Sequence, residues 1–233
     1  CQELYQPWIA QDYPIIFTDI KTAELIKYAS NAFLMTKVAF INEIESLSHK
    51  IGANISDISL AIGMDNRIGK AFLNPGPGIG GSCFPKDSMA LNHIAKNHQI
   101  ELSILNQVIN SNIQRFKDSA QKIQDFCKKN NSKKIAILGL AFKAGTDDVR
   151  MSPAIEIIKH LLIENFKIYA FDPHGIENTK KILGTKINYC DNLEECFNQA
   201  NEIVILTEWQ EFKNIKNLAN FANKNILDLR YIL

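Results

Sequence analysis

Between Thr22 and Lys50 the chain carries neither glycine nor proline, and no other stretch restricts the fold so strongly. Apolar side chains recur there at Leu25, Ala29, Ala32, Phe33, Ala39, Phe40, Ile44 and Leu47, mostly at helical spacing. That is the period of an amphipathic helix, not the alternation of a strand. The stretch predicts one helix of roughly seven turns or more. Asp19 or Thr22 can cap it, Glu24 lies in its first turn, and Gly52 ends it.

Shorter helices follow: one after Ser56, one from near Cys83 towards Asn97, and one from about Ser103 to Lys129. Residues 21–130 are therefore expected to form an all-helical central region, interrupted by a Gly- and Pro-rich loop from Asp65 to Ser82. After the polar linker KKNNSKK the pattern changes. IAILGL, KIYAFDP, KINYC, EIVILT and NILDL read as strands. PAIEIIKHLLIEN (with Pro153 in its first turn), Gly175 to Leu183, NLEECFNQA and EFKNIKNLANFAN read as the helices between them. Strands alternating with helices imply a parallel sheet with helices on its faces. The expected fold class is mixed: a helical region with a long helix, then an α/β Rossmann-like domain over 131–233. Residues 1–20 form a separate leading segment in which IIFTD, Ile15 to Asp19, is a candidate strand.

A chain of 233 residues suffices for one large core or two smaller ones. Its net charge of +1 gives no support for nucleic acid or a membrane surface as partner. No apolar run approaches the length of a membrane helix. Five cysteines, an odd number with no CxxC pair, fit a reducing cytosol better than a disulfide scaffold or a structural zinc site. The opening CQELYQPWIAQ has no basic leader and no apolar core, so it is not a signal peptide. It begins with Cys1 and reads as an internal segment of a longer chain.

The chemistry concentrates in RIGKAFLNPGPGIGGSCFPKD, Arg67 to Asp87. Glycines permit positive φ and close approach of backbone to a ligand. Ser82 looks like an N-cap that places Cys83 in the first turn of a helix, where backbone N–H groups and Lys86 favour a thiolate. Asp87 follows Cys83 by four residues, on the same helix face. A thiol beside a carboxylate suits nucleophilic attack followed by base-assisted hydrolysis. A lone cysteine is also commonly just a small buried residue. Gly76, Gly78 and Gly81 formally satisfy GxGxxG, but no strand precedes them.

Lys27 and Asn31, four apart on the long helix, can aim a cation and an amide at one oxygen. From spacing alone a solvated surface pair is the simpler account. FKAGTDDVR, Phe142 to Arg150, lies after the first strand, at the carboxyl edge where open sheets bind ligands. It lacks GxGxxG; Lys143 and Arg150 can instead meet phosphate or carboxylate, or simply belong to a mixed-charge loop. Asp172 ends the second strand, where dinucleotide domains place a ribose-binding acid; without the glycine fingerprint it reads as a turn or cap residue.

Three segments, ELIKYASNAFLMTKVAFINEI, MDNRIGKAFLNPGPGIGGSCFPKD and LGLAFKAGTDDVRMSPA, resemble the UDP-glucose/GDP-mannose dehydrogenase family in order, spacing and context, and the resemblance spans nearly the whole chain. GGSCFPKD is its most specific part, and the LNPGPGIGGSCFPKD form is similar to the UDP-glucose branch. The resemblance implies a three-part enzyme that oxidises UDP-glucose to UDP-glucuronate with two NAD⁺ and one water. An N-terminal domain binds NAD, central helices form a homodimer, and the C-terminal domain binds the UDP-sugar. It makes Cys83 the nucleophile, through a thiohemiacetal and then a thioester. Lys27 and Asn31 stabilise negative charge on the C6 oxygen, and Asp87 assists proton transfer and hydrolysis.

By the same resemblance Arg67 reaches the sugar nucleotide of a neighbouring subunit. Phe72, Leu73, Asn74, Gly78 and Gly80 line the sugar-nucleotide loop, and Phe142 and Lys143 contact substrate. Arg150, with Cys83, faces the cofactor; Arg230 in LDLRYIL binds substrate on a shorter match. The family's N-terminal glycine fingerprint is not in these residues, and 1–20 resemble the segment just after that domain. NAD is then bound mainly elsewhere, and this chain alone is expected not to turn over UDP-glucose. Two other readings stay open: a non-catalytic nucleotide-sugar-binding dimer, and a sister dehydrogenase of UDP-N-acetyl sugars or GDP-mannose.

Overall fold

The computed structural model describes residues 2–9 and 14–233. Cys1 and residues 10–13 of the leading segment lie outside the described residues. A short helix, α1 (Gln2–Ile9), occupies a stretch whose mixed, Pro-containing sequence suggested no element. The candidate strand at Ile15 to Asp19 does not form. A strand needs a neighbour for its backbone groups, and here Ile16 and Phe17 are exposed with no sheet edge beside them.

The long helix is α2 (Ile20–Ile51), capped by the Asp19 carboxylate on the Thr22 N–H and closed by Gly52 at φ 75°. Its apolar residues divide between two faces. Ala32 and Ala39 turn inward beside Met35 and Ile41, together with the polar Asn31, Asn42, Glu45 and Ser48. Leu25, Ile26, Phe33, Phe40 and Leu47 stay exposed. α3 (Ile55–Gly63) is capped by Asn54, not Ser56, because Asn54 Oδ1 accepts from the N–H groups of both Ser56 and Asp57. α4 (Phe84–Asn97) and α5 (Ser103–Lys128) pack on the inner face of α2.

A parallel five-stranded sheet begins at Lys134. Its strands are β1 (Lys134–Leu138), β2 (Lys167–Phe171), β3 (Asn188–Tyr189), β4 (Glu202–Ile205) and β5 (Asn225–Asp228), in the order β3-β2-β1-β4-β5. β1 pairs with β2 from Lys134↔Lys167 and with β4 from Ile135↔Glu202, so the strand order reverses across β1. Three helices lie between the strands: α6 (Pro153–Ile163), α7 (Ile176–Leu183) and α8 (Leu193–Gln199). The expected helix over EFKNIKNLANFAN is two 3-10 segments, Gln210–Asn217 and Phe221–Asn223, separated by Asn220 at positive φ.

Alternate residues of β1 feed two cores, as the period of a strand requires. Ile135 and Ile137 pack with Ile157, Ile158 and Leu161 of α6, and with Ile123 and Cys127 of α5. Ala136 and Leu138 pack with Phe197 of α8 and with Phe212 and Ile215. The last turns of α5 thus belong to the core of the sheet, which ties the helical region to it.

Candidate active site

The Gly- and Pro-rich loop before α4 is shaped by the helices beneath it. Its backbone has no regular partners, and buried polar side chains supply them. Asn42 Oδ1 accepts from Gly76 N at 2.8 Å, and Arg115 Nε donates to Gly76 O at 2.9 Å. Asn112 takes Ile79 N at 2.7 Å and donates to Ile79 O at 2.9 Å. Polar residues on the inward faces of α2 and α5 therefore serve the loop.

The glycines mark where that loop meets other elements. At Gly78 (φ 143°) a Cβ would lie 2.3 Å from the Phe116 ring of α5, so this glycine is needed for packing. At Gly80 it would lie 2.4 Å from Met151 O, and at Gly81 (φ 88°) 2.7 Å from the Phe142 ring. Gly81 N also donates to Arg150 O at 3.0 Å. The cysteine-bearing loop is thus pressed onto the segment that follows β1 at the carboxyl edge of the sheet.

Cys83 is itself the N-cap of α4, one residue later than expected, with φ −96° and ψ −68° and no side-chain cap bond. Its carbonyl accepts the first helical bond from Asp87 N at 2.9 Å, which makes it the flanking residue instead of Ser82. Cys83 is exposed, whereas Cys127, Cys190 and Cys196 are buried. Burial pushes the Cys127 thiol up to about 12, which leaves it inert. One turn on, Asp87 is 3% exposed and collects three donors. Lys27 Nζ reaches Oδ2 at 3.1 Å, Asn31 Nδ2 reaches the same oxygen at 2.5 Å, and Lys86 Nζ reaches Oδ1 at 2.6 Å. The Lys86 hydrogen bond, joined by those of Lys27 and Asn31 and opposed by desolvation, holds the carboxyl below its ordinary value. The Lys86 ammonium is raised in turn, first by its hydrogen bond to Asp87.

Lys27 and Asn31 do converge on one oxygen, and that oxygen belongs to Asp87. Asn31 is buried there, while the Lys27 side chain stays mostly exposed, so the expected solvated pair is half right. An ammonium has three N–H donors and a primary amide two, so each keeps a donor for a second acceptor. Lys86, read from the sequence as a charge beside the thiol, is placed on the carboxylate.

The remaining residues divide into those at the seam and those away from it. Phe142 is half-buried under Gly81, and the Lys143 ammonium lies 5.5 Å from the centre of its ring. Arg150 is exposed and forked onto Asp148 at 2.9 and 2.7 Å. That bond raises its guanidinium, with a smaller contribution from Cys83 nearby. Phe72 (φ 64°) sets its ring 5.7 Å from that of Phe84. Leu73 is buried and its carbonyl accepts from Ser59 Oγ at 2.6 Å. Arg67 is not brought to this cluster: it is exposed and paired with Asp65 at 2.6 Å.

Arg230 comes from the far end of the chain to the same loop. Its Nε donates to Leu206 O at 2.9 Å and its Nη2 to Phe142 O at 3.3 Å. Nη1 lies 3.0 Å from where a Cβ on Gly76 would be. Burial lowers its pKa, opposed by Glu208 and Asp228. Arg230 and Asn74 line a cavity of about 600 Å³ between the helices and the sheet, with Lys70, Glu208 and Lys213. Glu208 pairs with Arg230 at 3.1 Å, so Lys70 and Lys213 supply the net positive charge of the lining, which suits an anionic group. Asp172, by contrast, is fully used by the fold. Leu140 N, Ala141 N and Trp209 Nε1 donate to its Oδ2, and His174 N and Gly175 N to its Oδ1. It is a structural staple, as its sequence context suggested.

The sequence matches the family model of the UDP-glucose/GDP-mannose dehydrogenase central domain over residues 21–114. Residues 136–233 match the UDP-binding domain model of the same family. The chain is 50% identical over 239 aligned residues to the UDP-glucose 6-dehydrogenase of Rickettsia felis, an alignment that spans 100% of this chain and 53% of that protein. Its structure superposes with TM-score 0.86 on a UDP-glucose dehydrogenase from Pyrobaculum islandicum, at 32% identity, over 99% of this chain and 52% of that one. A UDP-D-ManNAc dehydrogenase from Pyrococcus horikoshii superposes with TM-score 0.74 at 28% identity, over 93% of this chain and 50% of that one. The chain thus spans about half the length of the relatives it matches.

Proposed function

The chain belongs to the UDP-glucose/GDP-mannose dehydrogenase family, and on that premise we propose that it carries the nucleophile and the nucleotide-sugar site of an NAD-dependent UDP-glucose 6-dehydrogenase. The observation that carries this reading is the convergence of Lys27, Asn31 and Asp87 one turn from an exposed Cys83. A binding module has no use for a thiol set beside a buried, ionised carboxylate.

In the proposed chemistry the C6 alcohol first gives a hydride to the oxidant and its hydroxyl proton to solvent, becoming an aldehyde, and the Cys83 sulfur, its proton lost to solvent, bonds to that carbon. The carbonyl electrons move to oxygen, where the spare donors of Lys27 and Asn31 meet the charge before a proton arrives. The C6 oxygen then gives its proton back to water and re-forms the C=O bond as the remaining C6 hydrogen leaves as hydride, which gives a thioester. Water then attacks that carbonyl while Asp87 takes its proton, the C–S bond breaks, and the thiolate leaves with the acid as product. The hydride acceptor this reaction calls for is NAD⁺. The sheet here does not fit a dinucleotide: both oxygens of Asp172 are taken by backbone and indole donors, and the loop after β1 has no glycine fingerprint. NAD is therefore proposed to be held mainly outside this chain, with Arg150 and Cys83 facing it.

The nucleotide is assigned to the cavity lined by Arg230 and Asn74, with Leu73, Phe72, Gly78 and Gly80 shaping the loop and Phe142 and Lys143 at the seam. The sugar is read as glucose from the LNPGPGIGGSCFPKD form. The division into a helical unit over 21–130 and a UDP-sugar unit over 131–233 is supported by the change from α5 to β1 between Lys128 and Lys134. A homodimer through the central helices is supported by an exposed stripe on α2. Ile26, Phe33, Phe40 and Leu47 recur every seven residues there, the repeat of a helix seam. Arg67, which points away from its own cluster, is assigned to the neighbouring subunit. A reducing cytoplasm is the proposed setting, because the mechanism needs Cys83 as a free thiol.

The test is UDP-glucose-driven reduction of NAD⁺ by protein that joins this chain to a dinucleotide-binding domain. Two NADH per sugar are expected, and a loss of about a thousandfold or more in Cys83→Ser. A variant that keeps its rate removes the nucleophile from the reading.

A further inference from the structure

Glu45 sits in the last two turns of α2 with its side chain 1% exposed, and the proposed chemistry does not use it. Two cations of α5 hold its carboxylate, Arg115 at 2.8 Å and Lys122 at 2.8 Å. A third partner comes from the other end of the chain: the phenol of Tyr231 donates to Glu45 Oε1. Burial pushes the Glu45 carboxyl up, but Arg115, Lys122 and Tyr231 outweigh it and hold it at about 2, so it is an anion at neutral pH.

Of these partners Tyr231 lines the 600 Å³ cavity itself, and Arg115 reaches the loop that lines it at Asn74 and Pro75 by holding the adjacent Gly76, while Lys122 serves only the carboxylate. Arg115 also holds Gly76 O at 2.9 Å, Ser46 Oγ at 2.9 Å and Asn42 O at 3.3 Å, while Asn42 takes Gly76 N. Gly76 is thereby fixed through both its backbone groups, and it anchors the loop wall. Tyr231 belongs to the opposite wall. After β5 the Asp228 carboxylate accepts from Arg230 N, Ile232 N and Leu233 N, which turns the segment into a compact strap. Within it Tyr231 adopts φ 55°, a conformation unfavourable for a bulky residue unless contacts over-determine it. The turn points the phenol at Glu45 and the preceding guanidinium at Gly76.

We propose that Glu45 is a positioning residue of the nucleotide-sugar site: through Arg115 and Tyr231 it holds the loop wall and the Arg230 strap in register, so that displacing one wall loosens the other. The inference rests on the cavity being the nucleotide site, and goes beyond it by naming what sets its width. A buried ion pair adds little net stability over apolar packing, and fixing one arrangement is its better attested use. Here the arrangement fixed is the approach of two elements 154 residues apart in sequence, Gly76 and Arg230, so close that a side chain on Gly76 would meet the guanidinium.

Tyr231→Phe in the full 233-residue chain removes one hydrogen bond and no volume. Amide hydrogen exchange and calorimetry with UDP read the two consequences. Exchange in both 74–80 and 228–233 is expected to quicken about tenfold, although the substitution touches only the second segment. Affinity for UDP is expected to fall about tenfold. Tyr189→Phe, whose phenol donates to Gly184 O away from the cavity, should change neither. Faster exchange confined to 228–233 overturns the proposal. So does a lowered melting temperature with UDP affinity within twofold of the parent, which marks a merely structural bond. A parent chain that binds no UDP sinks the nucleotide assignment instead, and the exchange result alone then decides the coupling.

Discussion

The helical region and the sheet each bury one aspartate close to the seam between them, and they satisfy it in opposite ways. Asp172, 1% exposed, is held by four backbone N–H groups and one indole, all fixed by the turn after β1, the turn after β2 and the packing of Trp209. Asp87, 3% exposed, is held by side chains alone, and two of them are lysines whose side chains are 62% and 67% exposed. The first arrangement has no freedom to do anything else. The second can lose or share a donor without moving the backbone. A buried carboxylate that stays ionised while its partners remain free to turn to a substrate oxygen is available to accept a proton, though its lowered pKa makes it a weak base. Burial and charge are alike in the two; the kind of donor separates fold from function.

Alanine at each position is the strongest way to break that comparison. Asp172→Ala leaves three buried N–H groups, a part-buried one and an indole unpaired and should lower stability by about 4 kcal/mol or more. Asp87→Ala frees two lysines into water and leaves one buried donor, the Asn31 amide, without its partner, so it should lower stability by only about 2 kcal/mol. In the joined enzyme the order reverses, with Asp87→Ala reducing kcat by about a hundredfold or more. Denaturant unfolding of both variants measures the first pair. Equal losses of stability would mean that Asp87 too is a staple.

The glycines give a smaller version of the same contrast. Gly80→Ala drives a methyl to 2.4 Å from Met151 O, where the two regions meet, and should destabilise by about 2 kcal/mol. Gly52→Ala at the end of α2 meets nothing within 4 Å and bears only the strain of φ 75°, about 1 kcal/mol. If the two variants melt together, the loop is not pressed onto the sheet as tightly as its geometry states.

How much of this was legible in the sequence follows the range of the interactions. The long helix, the capping glycine and the five strands announce themselves through local period and turn residues. Cys83 and Asp87 could be paired in the same way, because four residues make one helix face; Lys27 and Asn31 share a face too, but spacing alone favoured a solvated surface pair and only the family resemblance gave them a role. What spacing could not show is that the two faces meet, which depends on how α2 and α4 pack. The Glu45–Tyr231 bond joins residues 186 apart. The only local hint was charged and amide side chains, Asn42 and Glu45, on the face of α2 that also carries Met35 and Ala39. IIFTD has the residues of a strand and fails for want of a neighbour, which no local pattern records.

The smallest effect tests whether the Asp87 cluster is ionic at all. Its carboxyl is held below the usual value by Lys86 first and then by Lys27 and Asn31. A depressed folded pKa means that the contribution to stability is present above the unfolded value of about 3.9 and is lost as pH falls through the folded one. Asp87→Asn keeps shape and a hydrogen-bonding oxygen but has no charge to lose. The stability difference between parent and variant should therefore be flat through neutral pH, at most about 1 kcal/mol because two partners are solvated lysines, and should shrink below about pH 4. Glu45, held at about 2, titrates in the same acid range but identically in both proteins, so it cancels in the difference. A difference that does not change with pH would show that Asp87 is retained for its shape, and its proposed proton transfer would lose its physical basis.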